Sequence, residues 1–168
     1  MHSRIFKLQE NLTAEFDPIR EWDYEDNGFL SSVGDYVSED TDWKDDYDWL
    51  SNSSKSILWT VNYGYSIKIE KGEEEVEVPV AYLTVNIAKA KQWLLDRAQE
   101  IVDTIKEEPM KAFSYGVELL ILGDKFGFYF DIGGTYFTDV EFIKYCVDYY
   151  KDKEEVTFRL EGTLDYHS

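Results

Sequence analysis

The 168-residue sequence is poor in the residues that most often carry chemistry: it has one cysteine, two histidines and three prolines. A single thiol cannot close an internal disulfide, which excludes a stapled scaffold and makes a reducing compartment the default expectation. The histidines, His2 and His167, are too few for a zinc site, which draws on several His or Cys ligands. No stretch approaches the roughly 18 apolar residues that a membrane span requires. Residues 1–10 lack the apolar run of a signal peptide, so a soluble, cytoplasmic protein is expected. Basic residues are also scarce, 17 Lys and Arg against 35 Asp and Glu, giving a formal net charge of −18. Phosphate contacts need a basic footprint, so direct nucleic-acid binding is excluded, and anionic membranes are disfavoured for the same reason.

What is present is apolar and aromatic. A hydrophobic fraction of 43% with 17% aromatic residues argues against a disordered acidic chain, since such chains lack aromatics. The length predicts one domain spanning residues 1–168. The acidity is local. Residues 10–50 hold 14 acidic and two basic residues, a net of −12, whereas the remainder carries a net of only −6.

Periodicity predicts an α+β fold, with a mostly antiparallel sheet packed by one long and one shorter helix and with two short acidic helices near the N-terminus. Residues 3–9 and 155–166 alternate polar and apolar, as half-buried strands do. Phe29, Leu30, Val33, Tyr36 and Val37 share a helical face. Trp43, Tyr47 and Leu50 share a second, capped by Thr41 or Asp42. Residues 55–61 and 65–70 read as strands around an Asn62-Tyr63-Gly64 turn. Lys71-Gly72 then leads into a further strand or pair of strands at 73–85, which Pro79 confines to an edge or breaks. Asn86 opens a helix that Pro109 stops. Residues 114–122 and 126–132 read as a hairpin around Gly123-Asp124-Lys125, and residues 139–150 as a helix capped by Thr138.

None of the candidate chemistries finds its residues. Cys146 sits in an apolar helical stretch and reads as a small core residue, not a nucleophile. The two histidines could meet if the terminal strands paired, but two ligands make no metal centre. A helix–loop–helix calcium loop needs oxygen ligands at positions one, three and five and a glycine at six. Counting from Asp40 puts Lys44 and Asp45 at five and six, and counting from Asp42 puts Lys44 at three. Carboxylate pairs of the glycosidase kind could be drawn anywhere in so acidic a chain, so they discriminate nothing. Phe130-Asp131-Ile132-Gly133-Gly134-Thr135 resembles the phosphate-binding turn of the sugar-kinase and actin-like ATPase superfamily over six residues. Only 33 residues follow Thr135, too few for the rest of such a site, so the glycines are expected to serve a turn before a helix. Gly123-Asp124-Lys125-Phe126-Gly127 lacks the Gly-Lys-Ser/Thr ending of a phosphate loop. A non-enzymatic protein is expected, with no catalytic residue, no metal and no cofactor.

The acidic segment is where function is expected. Two like charges about 6 Å apart repel by roughly 0.7 to 3 kcal/mol at effective dielectric constants of about 80 down to 20. A chain that keeps Glu21, Asp23, Glu25, Asp26, Glu39, Asp40, Asp42, Asp45, Asp46 and Asp48 together is expected to use their field. Carboxylates on adjacent helical turns stand roughly 5–6 Å apart, near the spacing of phosphates along a nucleic-acid strand. Trp22, Tyr24, Trp43, Tyr47 and Trp49 interleave with them and could anchor an interface; they cannot all face inward, and Trp43 is ambiguous between contact and core. In charge and length alone, with no motif matched, the chain is similar to the DNA-mimic proteins of phages and mobile elements, the antirestriction and anti-CRISPR classes. The likeness implies a basic nucleic-acid-binding protein, a nuclease or effector, as partner. A generic protein-interaction or immunity-type module with a solvated acidic face is the alternative.

Overall fold

The computed structural model describes residues 2–25, 29 and 33–167, Glu25 by its backbone only. The alternating segments near the two ends of the chain form the middle of a seven-stranded mixed sheet. Strand β1 (His2–Gln9) lies antiparallel to β7 (Glu155–His167), with His2 opposite His167. Outward from this pair run β3 (Trp59–Lys71) and β4 (Glu74–Asn86) on one side. On the other side run β5 (Tyr129–Ile132) and β6 (Thr135–Thr138), giving the order β3-β4-β7-β1-β5-β6. A short β2 (Tyr36–Ser38) pairs with β7 off this path. The β1–β5 pairing is parallel and the other five are antiparallel, so the expected α+β class with a largely antiparallel sheet holds.

Five α-helices accompany the sheet among the described residues: α1 (Trp22–Glu25), α2 (Trp43–Ser51), α3 (Ile87–Glu107), α4 (Tyr115–Leu122) and α5 (Asp139–Tyr149). The caps follow the sequence. Asn86 accepts the Lys89 N–H at the start of α3, Asp42 accepts the Asp45 N–H at the start of α2, and Thr138 with Glu141 forms a capping box on α5.

Four local expectations are corrected. Tyr36 and Val37 belong to β2, because β7 extends beyond the reach of β4 and offers an unpaired edge at Asp165–His167. Of the helix expected there, Phe29 is helical and its carbonyl accepts the Val33 N–H, while Leu30 lies outside the described residues. Asn62-Tyr63-Gly64 is no turn: β3 runs through it with a bulge between Tyr63 and Ser66, and the chain reverses at Lys71-Gly72. Residues 115–122 form α4, not half of a hairpin, since an apolar run without alternation suits either element and Ser114 supplies an N-cap. Finally, Gly133-Gly134, both with positive φ, join β5 to β6, not a strand to a helix. Pro79 obeys its edge rule locally, because β4 pairs with β7 only from Ala81 onward.

Both faces of the sheet are covered. Phe130 meets Phe142 of α5 at 4.1 Å between ring centroids, and Phe6 stacks on Trp49 of α2. On the opposite side, Tyr129 meets Phe29, and Asp131 meets Tyr24. Cys146 is buried, as expected, and burial pushes its thiol pKa up and away from reactivity.

The register of β7 against β1 shifts between Phe6 and Leu8, opposite Gly162. Gly162 has φ +119, and a Cβ placed there would lie 2.4 Å from Trp43 Cζ2 and 2.6 Å from Ile19 Cγ2. Beside the bulge the acidic segment bonds to the edge of β7: Ile19 N–H donates to the Glu161 carbonyl, and the Thr41 hydroxyl to the Thr163 carbonyl. Gly162→Ala is therefore expected to cost about 3 kcal/mol or more through backbone strain and overpacking. Urea unfolding followed by tryptophan fluorescence would measure it.

Candidate interaction surface

The structure divides the acidic residues expected to form one surface. Asp46 is 8% exposed and turns inward. Its Oδ1 accepts from Arg4 Nε at 2.8 Å and its Oδ2 from the Thr163 hydroxyl at 2.5 Å, while Arg4 Nη1 reaches Asp165 at 2.6 Å. This is a partly buried ion-pair network tying α2 to β1 and β7. Trp43, 5% exposed, is also a packing residue, seated over Gly162. Glu21 and Glu39 are half-buried and cap one another reciprocally: each carboxylate accepts the other's backbone N–H, at 2.7 and 3.1 Å. Asp23 is exposed but lies by the Tyr24–Asp131 pair, whose protonation it influences, and so belongs to α1 and not to the α2 group. Asp26 and the side chain of Glu25 lie outside the described residues.

The acids that do converge are Asp42, Asp45 and Asp48, spaced three apart on the outward side of α2, with exposed Asp40 just before them. Their common neighbours are Lys44 and Tyr63, both of which feel all three carboxylates. Asp48 accepts from Lys44 Nζ at 2.5 Å and from the Tyr63 hydroxyl at 2.6 Å. These two donors hold its carboxyl below the usual range, the lysine bond most. Burial, reinforced by Asp48, raises the Tyr63 phenol, so it stays a donor.

One contributor was not expected from the sequence. A groove of about 410 Å³ separates the start of α2 from the β3–β4 arm, with Asp42 and Lys44 on one wall and Lys71 and Glu77 on the other. The arm carries exposed Glu70, Glu73, Glu74, Glu75 and Glu77, of which Glu77 lines the groove and Glu75 is paired with Lys68 at 3.3 Å. The signal was the run Glu73-Glu74-Glu75-Val76-Glu77, diluted in a window of ordinary net charge. Among the interleaved aromatics, Trp22 (65%) and Trp49 (49%) are exposed, whereas Tyr24, Trp43 and Tyr47 are buried.

Other chemistry-bearing groups are placed as follows. His2 and His167 do meet, edge to face at 5.2 Å, with Asp165 accepting from His2 and Asp35 lying 3.5 Å from His167. Among the described residues, no group of three His, Cys, Asp or Glu has the arrangement to hold a metal ion. No described helix is long and apolar enough to cross a membrane. Asp131 is buried, accepting from the Tyr24 hydroxyl at 2.5 Å and the Gly134 N–H at 2.8 Å. Burial raises its pKa and outweighs the lowering effect of those bonds and of Lys7. Compared with protein-family models, curated proteins and solved structures, the chain matches none.

Two outcomes are expected. Asp46→Ala removes one of Arg4's two carboxylate partners and the acceptor of the Thr163 hydroxyl and should cost about 2 kcal/mol, whereas Asp45→Ala should stay within about 0.5 kcal/mol. Denaturant titration of both variants separates a buried acid from a surface one. For Asp131, the folded chain holds the proton to higher pH than the unfolded chain does. Its contribution is therefore full below the unfolded value and is lost as pH rises through the folded one. The stability difference between wild type and Asp131→Asn should then fall as pH rises above the ordinary carboxylate range, measured by urea unfolding at each pH.

Proposed function

We propose that this protein is a non-enzymatic acidic inhibitor that occupies the basic nucleic-acid-binding surface of a partner protein, in the manner of antirestriction and anti-CRISPR DNA mimics. The observation that carries the reading is the outward row Asp42, Asp45 and Asp48, continued across the groove by Glu77. Like charges that outnumber their basic neighbours Lys44, Lys68 and Lys71 among the described residues cost stability, and their field steers a cationic partner onto that side. Exposed Trp49 and Tyr63 border the acids and supply amphipathic rings of the kind that anchor interfaces. The surface proposed is therefore narrower than the sequence set, because Asp46 and Trp43 are spent inside the fold.

A second reading has its own observation. Met110, Phe113, Ile121 and Leu122 expose apolar side chains around the turn between α3 and α4, with Phe113 87% exposed. That face favours a protein-interaction module that docks through its helical side, away from the acids.

One experiment separates the two. Inhibition of a panel of nucleases and other nucleic-acid-binding enzymes is measured at about 50 mM and about 300 mM salt, with the competing nucleic acid held fixed. Mimicry predicts inhibition that weakens at the higher salt. It also predicts a loss of at least about tenfold in Asp42→Asn/Asp45→Lys/Asp48→Asn, which keeps a capping residue at position 42. Salt-independent inhibition that survives this variant but is lost in Phe113→Asp would favour the helical face. The absence of any salt-sensitive inhibition across the panel would sink the mimicry reading.

A further inference from the structure

Glu161 is fully buried, and its Oε2 has no hydrogen-bond partner among the described residues. Its other oxygen is well used, accepting from Arg159 Nη2 at 2.5 Å and Nε at 3.2 Å and from the Asp17 N–H at 3.3 Å. A buried carboxylate oxygen left without a donor is costly, and native structures keep such atoms mainly where something else completes them. Glu161 lines a cavity of about 420 Å³ at the carboxyl ends of the parallel strands β1 and β5. That volume falls within the roughly 300–1,000 Å³ of small-molecule sites.

The walls specify the ligand. Lys7, Glu10 and Asp17 line the cavity with Glu161, so its charged lining sums to −2; Arg159, behind Glu161, reduces this to −1. Lys7 Nζ is already committed to Asp17, at 2.6 Å to Oδ2 and 2.9 Å to the carbonyl, and is not available to Glu161. Glu10 is pinned at the rim by the hydroxyls of Tyr145 and Tyr150. The apolar wall is aromatic, Phe137, Tyr145 and Tyr149, with the two tyrosine rings on adjacent turns of α5 at 4.7 Å. An atom that can only accept calls for a donor, and the net negative lining calls for a cation. Hard metal ions need six or more oxygens in place, which this cavity does not assemble. A planar, weakly hydrated cation that donates along its edge and stacks on its face meets both walls at once.

We propose that this cavity binds an organic guanidinium, with Glu161 Oε2 as its acceptor and Tyr145 and Tyr149 as the rings against which it stacks. The same chemistry is offered by a free small molecule and by an arginine side chain of a bound polypeptide. Two probes distinguish the sources: agmatine for the first and Nα-acetyl-arginine N-methylamide for the second, with citrulline in the same doubly capped form as the uncharged isostere. Titration of the full chain by calorimetry should give saturable binding of one probe at or below about 1 mM, and none of citrulline in that range. Tighter agmatine binding assigns a free cation, and tighter binding of the capped arginine assigns a polypeptide side chain. Glu161→Gln should weaken binding at least tenfold. Because Glu161 also faces Arg159, Tyr149→Ala is the second variant; its ring is 74% exposed, so the fold is kept, and about a threefold loss is expected. No saturation by either probe up to about 10 mM, citrulline binding as tightly, or unchanged affinity in Tyr149→Ala would overturn the proposal. The site is independent of the α2 acids: Asp42→Asn/Asp45→Lys/Asp48→Asn should bind the probe as wild type does, whatever that variant does to inhibition.

Discussion

The indole of Trp43 fills the space that Gly162 leaves by having no side chain, and the placement of the acidic segment depends on that contact. A strand with regular pleat at position 162 would present a Cβ there and push α2 away from β7. The bulge instead opens the edge of β7, and three attachments to its backbone use the opening: the Ile19 N–H to the Glu161 carbonyl, the Thr41 hydroxyl to the Thr163 carbonyl, and β2 to Asp165–His167. The Arg4–Asp46–Thr163 network then fixes the rotation of α2 about its own axis. With Trp43, Asp46, Tyr47 and Leu50 turned inward, Asp42, Asp45 and Asp48 have no face left but the outer one. The orientation of the charges is thus a consequence of packing a glycine.

The same geometry explains how one amino-acid type serves opposite purposes within seven residues. Asp42 caps a helix, Asp46 is enclosed by an arginine and a threonine, and Asp48 answers a lysine and a tyrosine, while Asp45 stands in solvent. Composition counts these as equal charges. Their energies are unlike, because a carboxylate enclosed by donors is a structural element and an exposed one is a source of field.

Much of the fold was legible in the sequence. Period-two alternation marks β1 and β7, capped apolar periodicity marks α2, α3 and α5, and Gly72 marks the reversal between β3 and β4. What misled were segments whose local pattern fits two elements and whose fate is decided by a distant partner. Residues 115–122 carry no period, and Tyr36–Val37 became a strand because β7 left them an edge. The surface was half legible. The exposed acids of α2 stand on the expected segment, but helical spacing alone could not say that Asp46 has Arg4 and Thr163 above it, since those partners lie 42 and 117 residues away. Glu161 was invisible for the same reason: a glutamate in an alternating strand reads as an outward residue until a distant segment, residues 12–17, lies over the face it shares with Arg159.

The two central strands of the sheet are also far apart in sequence, His2 pairing with His167. Loop closure on that scale is entropically slow, so proteins built on such pairings fold in milliseconds to seconds, not microseconds. During elongation the acidic segment waits for Glu161, Gly162 and Thr163, the β7 residues to which it attaches, until residues 155–167 have been synthesised. Through that interval residues 10–50 carry a net of −12, and like charge at that density opposes both collapse of the segment and its association with other chains.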